Sequence, residues 1–214
     1  MYNSIRGINE DSVAFKKING QPIIFRIIEE LKKSNFIKKI ILSSPDLEIL
    51  KKVKKKYNKD VLILKRQPKF AAYNTPIAKT LLNISKNLSK KIKFDSILKL
   101  NVDHPLLNTH NYESAINIMN IFDTDEVLTV KKEKDNFYYH NGKGMVPFKN
   151  STNLTLERQE IYRLIGSMHL IKKSCLFNYN QPRKTGHLIV DEVAAHRINN
   201  DYDLIISEIL LKNN

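Results

Sequence analysis

Asp95-Ser96-Ile97-Leu98-Lys99-Leu100-Asn101 runs directly into Val102-Asp103-His104-Pro105-Leu106, and the fold turns on how this stretch is read. The first part is a short apolar run of strand length, and Pro105 closes it. The same rhythm extends to both sides. Upstream, residues 21–35 predict a helix with Ile23, Ile24, Ile27, Ile28 and Leu31 on one face, and 38–43 a buried strand. Residues 46–57 predict a helix, 61–64 a strand and 75–91 a helix. Downstream, 110–122 predict a helix and 125–131 a strand. Strands alternating with helices predict a Rossmann-like α/β fold, a mostly parallel sheet with helices on both faces.

From 132 to 160 the rhythm breaks into polar loops with a small hairpin insertion, Phe137-Tyr138-Tyr139 and Met145-Val146-Pro147-Phe148 around Asn141-Gly142. Strand-like stretches at 164–171 and 187–194 and a helix at 203–212 complete the chain. No repeat or linker divides it, so residues 1–214 are expected to form one domain. One element is missing. A doubly wound sheet normally opens with a buried strand whose loop grips phosphates. Residues 1–19 are polar and irregular, so a central sheet position is expected to be vacant.

The chain has 214 residues, 42% of them hydrophobic, which excludes a disordered protein. No apolar stretch approaches the roughly 18 residues of a membrane span, and no signal-peptide core follows Met1. With Cys175 as the single cysteine, an intramolecular disulfide and a Cys-based zinc site are excluded. A cytoplasmic location without a membrane partner is the expectation. The net charge of +14 comes from 29 Lys against 7 Arg, and Lys, Asn and Ile share A/T-rich codons. The run Lys51-Lys52-Val53-Lys54-Lys55-Lys56 reads as a solvated helix face, so no nucleic-acid partner is expected.

In an open α/β sheet the ligand lies at the carboxyl ends of the strands. This directs attention to 1–20, 65–76 and 101–108. Asp103 at a strand tip is placed either to hold a divalent cation or to cap a turn or the following helix. Arg66 is either an anion ligand or a surface cation. Asp123-Thr124-Asp125 lies at the wrong end of the sheet and reads as a turn. His169, in an apolar run, reads as a satisfied core residue.

At these loops the sequence resembles the sugar-acid cytidylyltransferases: the acylneuraminate (CMP-sialic acid) synthetases, the CMP-Kdo synthetases and the spore-coat polysaccharide nucleotidyltransferases. Ile18-Asn19-Gly20-Gln21-Pro22-Ile23-Ile24 resembles their segment opening the first helix. Ile41-Leu42-Ser43-Ser44-Pro45-Asp46-Leu47-Glu48-Ile49 resembles their strand-to-helix turn. Arg66-Gln67-Pro68-Lys69-Phe70-Ala71 with Asn74-Thr75-Pro76 is similar to their "Arg-Pro-x-x-Leu-Ala…Thr" loop. Asn101-Val102-Asp103-His104-Pro105-Leu106 resembles "Gln-Gly-Asp-x-Pro-Leu". Arg158-Gln159-Glu160 with Tyr162 and Gly166 resembles the sialic-acid type, and residues 196–208 resemble the closing signature.

The resemblance implies cytidylyl transfer from CTP to a sialic-acid-like or Kdo-like sugar acid, for surface polysaccharide, with magnesium as cofactor and a homodimer as a possible assembly. It implies that Arg6 and Asp103 are catalytic. Ser4, Arg6, Arg66, Thr75 and Asn101 would bind nucleotide; Arg158, Gln159 and Tyr162 would bind the sugar acid. Asp103 and Asn199 would hold the metal. The chain also departs from the pattern. The phosphate loop is reduced to Ser4-Ile5-Arg6, and the closing "Asp-Ile-Asp" has become Arg197-Ile198-Asn199. These departures imply one alternative, a degenerate or N-terminally truncated member acting as a binding subunit; the charge alone offers another, a basic polyanion-binding protein. Met1-Tyr2-Asn3-Ser4-Ile5-Arg6 also resembles an interior segment of the spore-coat type, which implies an upstream first strand.

Overall fold

Asn19 and Gly20 take left-handed backbone conformations, φ 49° and 77°, which turn β1 (Lys17–Ile18) tightly back onto β2 (Gln21–Pro22). The computed structural model describes residues 13–72, 75–90, 92–148, 160–177 and 181–212. Pro22 leads into α1 (Ile23–Lys33), whose Ile23, Ile24, Ile27 and Ile28 are all buried at helical spacing. A parallel β-α-β unit follows: β3 (Ile40–Ser44), α2 (Leu47–Tyr57) and β4 (Val61–Lys65). Asp46 starts α2 by accepting the Glu48 and Ile49 amides at 2.7 and 3.4 Å. The Lys51–Lys56 run is the exposed face of this helix, with Ile49, Leu50, Val53 and Tyr57 buried opposite. Lys52 pairs with Glu48 at 2.5 Å, one helical turn away.

The chain continues through α3 (Ile77–Ser89), β5 (Ser96–Leu100), α4 (Thr109–Ile121) and β6 (Glu126–Glu133). The expected hairpin is β7 (Tyr138–His140) with β8 (Met145–Pro147). Then come β9 (Ile161–Lys172), α5 (Lys173–Phe177), β10 (Thr185–Ile189), α6 (Glu192–Ala195) and α7 (Asp201–Lys212). Four strands form a sheet in the order β10-β6-β9-β5. β10 lies parallel to β6, but β9 is antiparallel to both its neighbours. The α/β class holds, and the sheet is mixed at β9. The physical reason is the connection. Between β6 and β9 the described residues form a hairpin and no crossover helix, and a strand without a crossover can return antiparallel. The apolar 187–194 run also divides. β10 stops at Ile189, and Asp191 accepts the Ala194 amide at 2.7 Å to begin α6.

Helices cover both faces. Leu98 and Leu170 pack with Tyr112, Ala115 and Met119 of α4. Their strand neighbours Ile97 and Ile171 point the other way, against Leu81 of α3 and Leu176 of α5. No helix among the described residues is long and apolar enough to cross a membrane.

β3–β4 and the four-stranded sheet share no ladder, so β3 and β5 each keep one edge unpaired among the described residues. The expected vacancy concerns residues 1–19, of which 1–12 lie outside the described residues; among the described residues no strand joins β3 to β5. α1 packs on both sides: Ile24 and Ile28 pack with Ile40 and Leu42, while Ile23 and Ile27 pack with Leu100 and Val102. Apolar strands that would be buried in a continuous parallel sheet are here only half-buried, Ile40, Ile41, Leu42, Leu98 and Leu100 among them. Truncation tests this. Leu170→Ala, at 1% exposure, is expected to cost about 2–5 kcal/mol. Ile41→Ala is expected to cost less than roughly half of that in the same denaturant titration. Equal losses would mean the sheet is continuous through β3.

Candidate active site

The carboxyl end of β4 delivers Arg66 to the ligand edge of the sheet. Its backbone amide bonds to Ser44 O at 2.9 Å, and its guanidinium donates to Ser43 O at 2.6 Å and Ser43 Oγ at 3.3 Å. Burial pushes its pKa down, and among the described residues no carboxylate pairs with it. A desolvated cation without a counter-ion attracts an anion. Arg66 is therefore a half-buried cation held at the end of β4 by Ser43 and Ser44. Thr75, in the same loop, donates its hydroxyl to Lys69 O at 2.7 Å and closes the segment after Arg66. Its hydroxyl is therefore engaged in holding the loop.

At the tip of β5, Asn101 is clamped to β9. Its amide bonds to Ser167 O at 2.9 Å, and its side chain donates to Gly166 O at 2.7 Å. Gly166 has φ +71° in the stretch where the β6–β9 register shifts, a bulge that turns this carbonyl out of the ladder. Lys99, not among the residues expected from the loop motifs, stands beside them at the end of β5. Its ammonium is desolvated, which pushes its pKa down, and its nearest hydrogen-bond acceptor is Gly166 O at 3.5 Å. The signal was a lone cation inside an apolar strand. His104 is 3% exposed with Nδ1 unpartnered, and burial holds its pKa below the usual range.

Asp103 does not cap α4, since Asn108 and Asn111 do so reciprocally. Instead its Oδ2 accepts Arg197 Nε at 2.7 Å, and its carbonyl accepts the Ile198 amide at 2.8 Å. Asn199 donates its side chain to Arg197 O at 3.3 Å, and its amide goes to Asp203 at 2.7 Å. Magnesium was expected at Asp103 and Asn199. A hard divalent cation takes several oxygen ligands. Here the Asp103 carboxylate faces a guanidinium, the Asp203 carboxylate accepts the Asn199 and Asn200 amides, Asn199 is turned toward a carbonyl, and no cluster of three metal-ligating side chains occurs among the described residues. The donor set does not fit the ion.

Tyr162 sits where β9 passes the carboxyl end of β6, opposite Lys132. It is 38% exposed, donates to Glu160 and contacts the His187 ring at 5.8 Å between centroids. Ser4, Arg6, Asn74, Arg158 and Gln159 lie outside the described residues. Asp123 is a turn residue with φ 46°, paired with Lys172 at 2.6 Å. The residues that the structure gathers at the tip of β5 are thus Lys99, Asn101, Asp103 and Arg197, while Arg66 stands at the end of β4 and Tyr162 opposite the carboxyl end of β6.

No protein-family model matches the chain. A "post-translational flagellin modification protein B" of Campylobacter coli is 25% identical over 217 residues, spanning 97% of this chain and 90% of that protein. A 4-diphosphocytidyl-2C-methyl-D-erythritol synthase of Anaerococcus prevotii superposes with a TM-score of 0.69 at 15% identity, over 96% of this chain and 91% of that one. A CMP:2-keto-3-deoxy-manno-octonic acid synthetase, solved with CTP, gives 0.67 at 11% identity, over 94% and 92%. The α/β class is that of these nucleotidyltransferases. The likeness to sugar-acid cytidylyltransferases carried by the loop motifs recurs in the fold.

His169, read as a satisfied core residue, bonds Glu126 through Nε2 at 3.0 Å. Burial lowers the His169 pKa. Burial raises that of Glu126, but hydrogen bonds from Arg183, Thr185 and His169 together outweigh it and hold the carboxyl low. The two signs agree. Below about pH 6.5 an unfolded histidine takes up a proton that folded His169 resists. The contribution of Glu126 is complete above the unfolded carboxyl value and is lost as pH falls through its lowered pKa. Thermal midpoints are expected to fall steadily from pH 7 to pH 4, with the upper part of the fall flattened in His169→Gln. A flat profile, or an unchanged one in the variant, would contradict this.

Proposed function

We propose that the chain transfers CMP from CTP to a hydroxyl of a sialic-acid-like or Kdo-like sugar acid, supplying an activated sugar for a surface glycan. One observation carries the reading. Arg66, a desolvated guanidinium without a carboxylate partner among the described residues, stands at the carboxyl edge of its strand, β4, as the fixed Asn101–Asp103 loop does at that of β5. That edge is where an α/β sheet takes a nucleotide. Support comes from the order of the loop motifs and from the relative, whose name concerns flagellin modification.

In the reaction the sugar hydroxyl attacks the α-phosphorus in line, the new P–O bond forms, and the bond to pyrophosphate breaks. Such a transfer asks the protein for positioning and charge neutralisation. Arg66 would neutralise phosphate charge. Asn101, locked by Gly166, would present a fixed edge to the nucleotide, and Tyr162 would border the sugar acid. Ser4, Arg6, Arg158 and Gln159 complete the proposal from sequence. A cytoplasmic location and a homodimer belong to the same reading.

The pairing of Asp103 with Arg197 favours a second reading, a family-like subunit that binds nucleotide without turning it over. Pyrophosphate release from CTP, assayed against a panel of sialic-like and Kdo-like acids, separates the two. Release with at least one acid is expected, and Arg66→Ala should raise the KM for CTP about tenfold or more, as expected for a lost charge-assisted hydrogen bond. CTP binding without release for any acid would support the subunit. Absence of both would end the nucleotide reading.

A further inference from the structure

Three residues from two distant parts of the chain meet at the tip of β5, and their charges do not balance. Asp103 contributes one carboxylate. Arg197 Nε holds it at 2.7 Å, and the desolvated ammonium of Lys99 acts on it as well. The sum is one positive charge. The contact with Arg197 is built into the backbone. Ile198, 3% exposed, is buried with Ile18, Ile23 and Ile27, and its amide bonds Asp103 O at 2.8 Å. These two anchors fix the residue before Ile198 over the Asp103 loop. The Arg197 side chain remains 59% exposed, and among the described residues only its Nε is bonded. Both Nη groups stay available to a ligand in solvent.

We infer that Arg197 takes the place of a divalent cation beside Asp103, so that the chain's own guanidinium, together with Lys99, neutralises a nucleoside triphosphate. A planar fork with unused N–H groups is well suited to phosphate oxygens and cannot lose its charge near neutral pH. A positive cluster repels a free divalent ion and attracts a polyphosphate, and the orientation of Asn199 removes a second oxygen ligand. Asp103 then orients the guanidinium instead of ligating metal. This inference rests on the proposed nucleotide reading.

Equilibrium binding of CTP to the full chain, with excess EDTA or with magnesium, tests it. Wild type is expected to bind in EDTA within about threefold of its affinity in magnesium. Arg197→Ala should weaken binding in EDTA by about tenfold, and Arg197→Lys should recover part of that loss. Arg197→Asp combined with Asn199→Asp should create an ion site, read as manganese binding by electron paramagnetic resonance, where wild type shows none at the same concentration. Circular dichroism checks that each variant is folded. Wild-type binding that needs magnesium and collapses in EDTA, or manganese binding by wild type itself, overturns the inference and leaves the nucleotide reading standing. Failure to bind CTP under either condition overturns both.

Discussion

The structure depends on one helix face holding together two pieces of sheet that share no ladder among the described residues. α1 presents Ile24 and Ile28 to β3 and Ile23 and Ile27 to the tip of β5. Hydrophobic burial is non-directional, so it can join these edges where no ladder does. Everything at the ligand edge follows from it. Arg66 stands on the β3–β4 side, and Asn101, Lys99 and Asp103 stand on the other. Their relation is set by how firmly α1 spans the gap. The Asn19-Gly20 turn and the Asn19 amide bonded to Glu208 at 2.8 Å tie α7 to the entry of this same helix.

Local elements were legible because their signals are local. The isoleucine spacing in 21–35 and the apolar run 95–101 give α1 and β5 within two residues at either end, and Asn141-Gly142 marks the hairpin. The direction of β9 was not legible. Periodicity reports which residues face inward and carries nothing about strand polarity; that is fixed by the connection between β6 and β9. The apolar 187–194 run concealed a helix start because Asp191 acts through a hydrogen bond to Ala194. A capping aspartate reads the same as any loop aspartate until its partner is placed.

At the candidate site the sequence placed residues at strand ends, while their side-chain partners come only from the fold. Arg66 and Asn101 are where the strand ends put them. Thr75, expected to contact nucleotide, closes a loop, and the pairing of Asp103 with Arg197 joins positions 94 residues apart. No periodicity reaches across such a separation. The substitution of arginine and asparagine in the closing motif was visible, but its consequence lies in geometry. That geometry delivers the Arg197 guanidinium to the Asp103 carboxylate. The basic composition has a similarly divided meaning. The Lys51–Lys56 run is a solvated helix face, whereas single cations placed in apolar surroundings, Arg66 and Lys99, carry the electrostatics of the site.

A crystal structure of the chain grown with CTP bears most directly on this arrangement. The triphosphate is expected at the carboxyl ends of β4 and β5, within hydrogen-bond reach of Arg66 and Arg197, with the base toward the Asn101 loop. A nucleotide bound elsewhere, such as over the Lys51–Lys56 helix face, with Arg66 still turned only to Ser43, would contradict it.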